Sequence, residues 1–122
     1  MIAFKLNTDF LIPVIIQDAD TSEVLMLAYM DKTALQRTLK EKKTVFFSRS
    51  RQKYWIKGET SGHTQKVVEF RLDCEGKSLL FIIEQNVAAC HKGYFGCYFD
   101  KFQEDGSKVT TDKLIFDPAK VY

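Results

Sequence analysis

Hydrophobic and polar positions divide the first part of the chain into two apolar runs around a polar turn. The runs are residues 14–16 (VII) and 24–30 (VLMLAYM), and the sequence DADTS (18–22) lies between them. Asp, Thr and Ser favour turns because their short polar side chains hydrogen-bond to nearby backbone groups. The pattern therefore predicts two strands joined by a turn.

The next segment, MDKTALQRTLKEKK (residues 30–43), changes to a helical period. Leu35 and Leu39 are four residues apart, which places them on one face of a helix, with Ala34 and Thr38 beside them. Asp31 precedes this pattern, and aspartate is a residue type that caps helix N-termini. We predict the one strong helix of the chain in this segment.

Strand signals dominate the rest of the sequence. TVFFS (44–48) is β-branched and aromatic, and SLLFIIEQ (78–85) is a nearly continuous apolar run that predicts a buried strand. TQKVVEFRL (64–72) largely alternates, as in a strand with two different faces. Its predicted faces carry Val67, Glu69 and Arg71 on one side, and Val68, Phe70 and Leu72 on the other.

Weaker strand signals follow in YFDKF (98–102) and KLIF (113–116), separated by a loop with the turn dipeptide Asp105-Gly106. The sequence DCEGK, residues 73–77, joins the two long strands. No internal repeat, low-complexity tract or linker interrupts the chain. We expect one domain over residues 1–122, a mostly β (α+β) and mostly antiparallel domain with one covering helix.

Length and charge exclude several classes of protein. A chain of 122 residues with 45% apolar residues can bury a core without disulfide bonds. Its net charge of +2 is too small to indicate non-specific binding to nucleic acid. The N-terminal sequence lacks the pattern of a signal peptide, and no run of about 18 apolar residues predicts a membrane span. We expect a cytoplasmic protein without nucleic-acid or membrane partners.

Three cysteines are the first candidates for chemistry. The sequence AACHKGYFGCYF (88–99) carries Cys90, His91 and Cys97, and Cys74 lies between the two long predicted strands. Three thiolates and an open position would form a catalytic zinc site, whereas the alternative is that Cys74 and Cys97 are small buried apolar residues. Because Cys74 and Cys90 lie at opposite ends of a strand, they need not meet within one subunit.

The sequence SRSRQKYWIKGETSG (48–62) combines cations, hydroxyl groups and glycines. Arginine forms paired hydrogen bonds with phosphate, and hydroxyls and backbone N–H groups complete such a site. Gly58 and Gly62 allow the backbone to approach a ligand closely. The alternative is a solvated hairpin with alternating charges. The cations are Arg49, Arg51, Lys53 and Lys57, and the hydroxyls are those of Ser48, Ser50, Thr60 and Ser61.

Two acidic residues, Asp73 and Glu75, flank Cys74 in the predicted turn. Carboxylate oxygens are ligands that Mg²⁺ prefers, so this pair is a candidate magnesium site. The alternative is an ordinary polar turn.

Together these motifs resemble the phosphoribosyl-AMP cyclohydrolase family, the enzymes of the third step of histidine biosynthesis. QDADTSEVLMLAYM, FSRSRQKYW, KGETSG, LDC and the CHKG loop with its second cysteine occur in the family's order and spacing, over nearly the whole chain. The resemblance implies an antiparallel pseudo-barrel capped by a helix, assembled as an intertwined homodimer. It also implies hydrolytic opening of the adenine ring of phosphoribosyl-AMP between N1 and C6.

The resemblance also implies roles for individual residues. Zinc would be held by Cys74 of one subunit and by Cys90 and Cys97 of the other, and would supply the nucleophilic water. His91, beside the metal, would transfer a proton. The substrate would bind to the two motifs rich in hydroxyls and cations, at Ser48, Arg49, Ser50, Arg51, Lys57, Glu59, Thr60 and Ser61.

The acidic motif departs from the family pattern. The family has Asp-Cys-Asp-x-Asp as its Mg²⁺ site, whereas residues 73–77 of this chain are DCEGK. Asp73 and Glu75 can still hold Mg²⁺ together with substrate phosphate, or the Lys77 ammonium can replace part of the metal's charge. Asp100 stands near a position where the family often has arginine. These departures leave a second hypothesis, a zinc-stabilised homodimeric paralogue that has lost cyclohydrolase activity.

Overall fold

The structure, a computed structural model, describes residues 11–122 as eight strands, one α-helix and one 3₁₀ turn. The strands are β1 (Ile12–Asp18), β2 (Val24–Met30), β3 (Val45–Ser48), β4 (Lys53–Ile56), β5 (Gln65–Leu72), β6 (Leu79–Gln85), β7 (Asp100–Phe102) and β8 (Lys108–Thr110). Helix α1 spans Lys32–Glu41, and the 3₁₀ turn spans Pro118–Lys120. No helix in this part of the chain is long and apolar enough to cross a membrane.

The main sheet has four strands in the order β2-β1-β6-β5. β1 pairs with β2 and β5 pairs with β6 in antiparallel fashion, as the sequence predicts. β1 and β6 pair in parallel, which the residue pattern did not predict. Parallel neighbours need a crossover connection, and the chain between these two strands, including α1, provides it. The domain is mostly antiparallel, with this one parallel pair among its described strands.

The core lies on one face of the main sheet and includes residues of α1. Alternate residues of the two central strands are buried on this face, namely Ile12, Val14, Ile16, Leu79, Phe81 and Ile83. Removing a side chain of this size from water stabilises the fold by about 1.5–3 kcal/mol. On the opposite face of β6, Leu80 and Ile82 are only half-buried. The strand predicted to be buried is therefore fully covered on one face.

Helix α1 begins where the local sequence predicts and ends within the predicted segment. The Asp31 carboxylate accepts a hydrogen bond from the Ala34 N–H at 2.8 Å, which caps the N-terminus. At the other end, Lys42 adopts a left-handed conformation and its N–H donates to the Thr38 carbonyl. The Thr38 hydroxyl also accepts a hydrogen bond from the Val45 N–H at 2.9 Å. This buried threonine therefore connects the helix directly to β3.

The β3–β4 hairpin is attached to the edge strand β5 by a buried polar network. Gln65, at the start of β5, is fully buried, and its side chain accepts a hydrogen bond from the Thr44 hydroxyl at 2.8 Å. The Gln65 amide donates to the Gln85 side chain at 2.8 Å. The Thr44 N–H donates to the Gln65 carbonyl. These bonds fix the position of the hairpin and of the loop that follows it.

A β-bulge changes the predicted faces of β5. The pairing register shifts between Val67, which is opposite Ile83, and Glu69, which is opposite Ile82. Val68 is therefore left out of the pairing and is 51% exposed. The core side carries Val67 with Phe70 and Leu72, so the predicted grouping of Val67 with Glu69 was wrong. An extra residue in one strand shifts a two-residue alternation from that point onward.

Two other predictions need correction or remain open. Residues 113–116 (KLIF) form no strand, and β8 lies instead at Lys108–Thr110, after the Asp105-Gly106 turn that the sequence does predict. The backbone N–H groups of Ile115 and Phe116 instead donate to the Gly93 carbonyl, and the side chains of Leu114 and Ile115 are more than half exposed. The described strands form one four-stranded sheet and two hairpins. Closure into a pseudo-barrel and the intertwined dimer stay predictions.

Candidate active site

A cleft of about 630 Å³ lies alongside the β3–β4 hairpin. The end of β3 contributes Ser48, the hairpin turn contributes Ser50 and Arg51, and β4 contributes residues 53–56. The loop of residues 57–61 and the side chain of His91 complete most of its wall. The structure thus brings seven of the eight predicted substrate-binding residues into one cavity with the predicted proton-transfer residue.

Arg49 is the predicted substrate-binding residue that does not line this cleft. Its guanidinium lies over the ring of Tyr29, 4.1 Å from the ring centroid, on the other side of the hairpin. There it borders a second, shallower depression of about 520 Å³ with Leu27 and Phe47. Both arginines lie in the turn between β3 and β4, where the two-residue alternation of a strand no longer holds, and they line different cavities.

The KGETSG loop is folded tightly at Gly58. This residue has a φ of +84°, and a Cβ atom at its position would lie 2.5 Å from the His63 carbonyl carbon and 2.5 Å from the Thr64 nitrogen. The Gly62 N–H donates to the Gly58 carbonyl at 2.7 Å, which closes the loop. The side chains of residues 59–61 are therefore held at the cleft by a backbone turn that only glycine can make.

The loop that carries Cys90 and Cys97 is folded by backbone hydrogen bonds. The Ala89 N–H donates to the Phe95 carbonyl at 2.8 Å, and the Cys97 N–H donates to the Leu25 carbonyl at 2.6 Å. Cys90 is buried and Cys97 is exposed. The pKa of the Cys97 thiol is raised to about 11, mainly by desolvation and also by the charge of the adjacent Cys90 thiol and a hydrogen bond with it. Cys90 and Cys97 are therefore neighbours.

Lys57 connects the cleft to these two cysteines. Its ammonium donates a hydrogen bond to the carbonyl of Ala89, the residue that precedes Cys90. Desolvation lowers the pKa of Lys57, and the charges of Cys97 and Cys90 act in the opposite direction. The sequence predicts Lys57 as a phosphate contact, whereas the structure places its ammonium at the thiols. The positive charge of Lys57 lowers the pKa of the Cys97 thiol, but desolvation outweighs this effect.

Cys74 lies in the turn between β5 and β6. The other two cysteines follow the opposite end of β6. β6 separates the turn from the Cys90 loop, and its seven residues extend about 20 Å at the usual rise per residue. Within residues 11–122, no three His, Cys, Asp or Glu side chains are grouped so that they could hold a metal ion. The predicted placement of Cys74 and Cys90 at opposite strand ends is confirmed.

The two candidate magnesium ligands are engaged within their own turn. The Asp73 carboxylate accepts hydrogen bonds from the Lys77 N–H at 2.7 Å and from the Ser78 hydroxyl at 3.0 Å. The Lys77 N–H bond is the main reason that the pKa of Asp73 lies below its usual value. Glu75 forms an exposed ion pair with the Lys77 ammonium at 3.0 Å. Both carboxylates therefore make their contacts within the turn.

Asp100 has a structural partner as well. Its carboxylate accepts a hydrogen bond from the Thr110 hydroxyl at 2.5 Å and lies 4.0 Å from the Lys108 ammonium. These contacts join β7 to β8. Asp100 therefore belongs to this hairpin and does not line the cleft.

Sequence reasoning missed the aromatic part of the cleft. Tyr54, Trp55 and Tyr122 line it, yet none of them was among the predicted site residues. Tyr54 and Trp55 sit within the motif singled out for its charges, so an aromatic signal was present beside the charged one. Tyr122 gave no local signal, because it reaches the cleft only through the folding of the C-terminal segment.

Comparison with known proteins adds an independent observation. A family model described as phosphoribosyl-AMP cyclohydrolase matches residues 26–99. A phosphoribosyl-AMP cyclohydrolase of Salinibacter ruber is 51% identical over 120 residues, which cover 98% of this chain and 94% of the relative. Relatives of the same name from Pelotomaculum thermopropionicum and Haloquadratum walsbyi are each 47% identical, covering 98% and 99% of this chain and 93% and 89% of the relatives.

Proposed function

The chain belongs to the phosphoribosyl-AMP cyclohydrolase family, and we propose that it opens the adenine ring of phosphoribosyl-AMP by hydrolysis of the N1–C6 bond. Its family makes it a hydrolase of histidine biosynthesis. We place this reaction in the cytoplasm, as a step on a small soluble metabolite. The observation that carries the proposal is the meeting of the hairpin turn, the KGETSG loop and His91 in one cleft.

The cleft offers binding partners for a substrate with a phosphate at each end. Arg51 and Lys53 lie at the hairpin end with the hydroxyls of Ser48 and Ser50. Arginine forms paired hydrogen bonds with phosphate oxygens, and the hydroxyls can add neutral ones. Residues 59–61 present the carboxylate and the two hydroxyls of the KGETSG loop to the same cavity. We assign the phosphates to the cations and the ribose hydroxyls to the loop.

Two thiols of the chain fit a zinc site that is completed by a second copy. Cys90 and Cys97 are adjacent, and the Lys57 ammonium lies beside them. Cys74 is exposed at the far end of β6, so its thiol is free to reach another subunit. We propose a homodimer in which Cys74 of one subunit and Cys90 and Cys97 of the other hold one zinc ion. Zinc held by three thiolates supplies Lewis acidity and lowers the pKa of water to near neutral.

His91 is the side chain that we assign to proton transfer. His91 is exposed at the cleft and directly follows Cys90 in the sequence. In the reaction a water oxygen bonds to C6, the N1–C6 bond breaks, and its electron pair stays on N1, which takes up a proton. C6, which already carries the exocyclic amine, becomes a carboxamide carbon. An imidazole can both accept and donate a proton, which suits it to this transfer.

The acidic turn, folded as it is in this structure, does not fit a magnesium site. Mg²⁺ needs carboxylate oxygens that are free to coordinate. Both Asp73 oxygens accept hydrogen bonds from the turn, and Glu75 is paired with the Lys77 ammonium. We therefore propose that Lys77 supplies a positive charge where the family pattern has a metal ligand, and we assign no step to Mg²⁺.

The test is direct. The purified protein is incubated with phosphoribosyl-AMP, and the ultraviolet absorbance of the ring-opened product is followed. We expect turnover that is lost when His91 is replaced by Ala. A stable protein that contains zinc but does not convert the substrate would instead identify a paralogue that has lost its activity.

A further inference from the structure

The C-terminal segment is fixed on the loop that carries His91. The Ile115 N–H donates to the Gly93 carbonyl at 2.7 Å, and the Phe116 N–H points to the same oxygen at 3.4 Å. The contact is so close that a Cβ atom on residue 93 would lie 2.6 Å from the Phe116 carbonyl oxygen. The segment after β8 is therefore packed on the His91 loop.

Ring contacts continue from this anchor to the cleft. The Phe116 ring meets the ring of buried His63 at a centroid distance of 4.8 Å, and the Tyr122 ring at 6.1 Å. Tyr122 in turn meets the His91 ring edge-to-face, with centroids 6.3 Å apart. The Tyr122 N–H donates to the Pro118 carbonyl at 2.9 Å. These contacts hold Tyr122 at the cleft wall beside the predicted proton-transfer residue.

Tyr122 is the aromatic residue of the cleft whose ring is most open to a ligand. Trp55 packs on Phe46, with centroids 4.9 Å apart. Tyr54 packs on Phe47, and its hydroxyl donates to Asp31 at 2.5 Å, on the side of the helix. Tyr122 is 52% exposed. Its ring contacts the Phe116 ring at a tilt and the His91 ring edge-to-face.

We propose that Tyr122 binds the purine base of the substrate by stacking, and so places the reacting ring of the base beside His91. This inference rests on the proposed function, which supplies a flat base to the cleft. The cations and hydroxyls of the cleft suit the phosphates and riboses, but they offer no flat apolar surface to the base. An exposed aromatic ring supplies that surface, because bases stack on aromatic side chains.

The experiment compares Tyr122→Leu and Tyr122→Phe in the full chain. Leucine keeps an apolar contact with Phe116 but removes the ring, whereas phenylalanine keeps the ring. Phe102→Leu, which removes an exposed ring from β7 outside the cleft, is the matched control. The measurements are KM and kcat for phosphoribosyl-AMP, and inhibition by AMP and by ribose 5-phosphate. AMP carries the base, and ribose 5-phosphate lacks it.

We expect Tyr122→Leu to raise KM and weaken inhibition by AMP about ten-fold, with inhibition by ribose 5-phosphate unchanged. Tyr122→Phe, which keeps the ring, should lose much less inhibition by AMP than Tyr122→Leu does, and Phe102→Leu should behave as wild type. Unchanged inhibition by AMP in Tyr122→Leu would overturn the inference, and so would an equal loss for AMP and ribose 5-phosphate, which indicates a displaced loop. Failure of the proposed function is distinguishable, because wild-type protein would then not convert phosphoribosyl-AMP at all.

Discussion

Replacing Gly58 by alanine tests whether the KGETSG loop depends on a close backbone approach. At this position the Cβ atom would meet backbone atoms of His63 and Thr64 at 2.5 Å, and φ is +84°. Gly62, in the same loop, offers a matched control. Its φ is +80°, but a Cβ atom there would meet nothing within 4 Å. The two substitutions therefore share the conformational penalty and differ in the steric overlap.

The expected magnitudes follow from this difference. A left-handed conformation costs a residue with a Cβ atom about 1–2 kcal/mol, and this is the whole cost expected for Gly62→Ala. Gly58→Ala must also displace backbone atoms, and overpacking of this kind adds about 1–3 kcal/mol. The loss of unfolded-chain entropy on changing glycine to alanine is common to both variants and cancels in the comparison.

Urea unfolding, followed by the fluorescence of the one tryptophan, Trp55, measures both free energies. Protein concentration is kept equal, because dimer formation would make stability depend on it. We expect Gly58→Ala to unfold at clearly lower urea and to raise KM, since residues 59–61 would move. If both variants lose the same free energy of unfolding within about 0.5 kcal/mol, the close approach at Gly58 does not constrain the loop.

Three further predictions concern the helix, the acidic turn and the thiols. Thr38→Val should cost about 1–3 kcal/mol in the free energy of unfolding, because the buried Val45 N–H loses its acceptor; no loss would show that another acceptor replaces it. Lys77→Ala should change the free energy of unfolding by no more than about 0.5 kcal/mol while raising KM, and Lys77→Asp should make turnover depend on added Mg²⁺; unchanged kinetics in both variants would make Lys77 an ordinary surface residue. Metal analysis should find about one zinc per wild-type chain and much less in Cys90→Ser or Cys97→Ser; full turnover by metal-free wild type would contradict the zinc site.

Local chemistry made much of the fold predictable. β2 lies at Val24–Met30 as its apolar run indicates, and Asp31 caps the helix through the contact that its residue type favours. The alternation of β5 fails at Val68, because a bulge depends on pairing with β6 and has no signature in a single strand. The parallel pairing of β1 with β6 was also hidden, since it joins segments far apart in the chain.

The candidate site also has features that the sequence predicts and features that it does not. The hydroxyl and cation motifs could be found from residue types alone, because their members are close in sequence and meet in one cleft. The separation of Arg49 from Arg51 follows from which face each residue takes in the turn, and the residue types do not specify that. The position of Lys57 at the thiols depends on a contact between two loops. Tyr122 reaches the cleft only because residues 114–122 fold back on Gly93.

Activity in mixed dimers tests the two-subunit active site most directly. Cys74→Ser and Cys97→Ser proteins are each expected to be inactive, since every site in either homodimer lacks one thiolate. After subunit exchange, a mixed dimer has one site with all three ligands, and random mixing should restore about a quarter of the wild-type activity. A Cys90→Ser and Cys97→Ser mixture is the control, because both changes fall on the same side of the shared site. No recovery in the first mixture, with exchange verified by mass spectrometry, would contradict a zinc site shared between subunits.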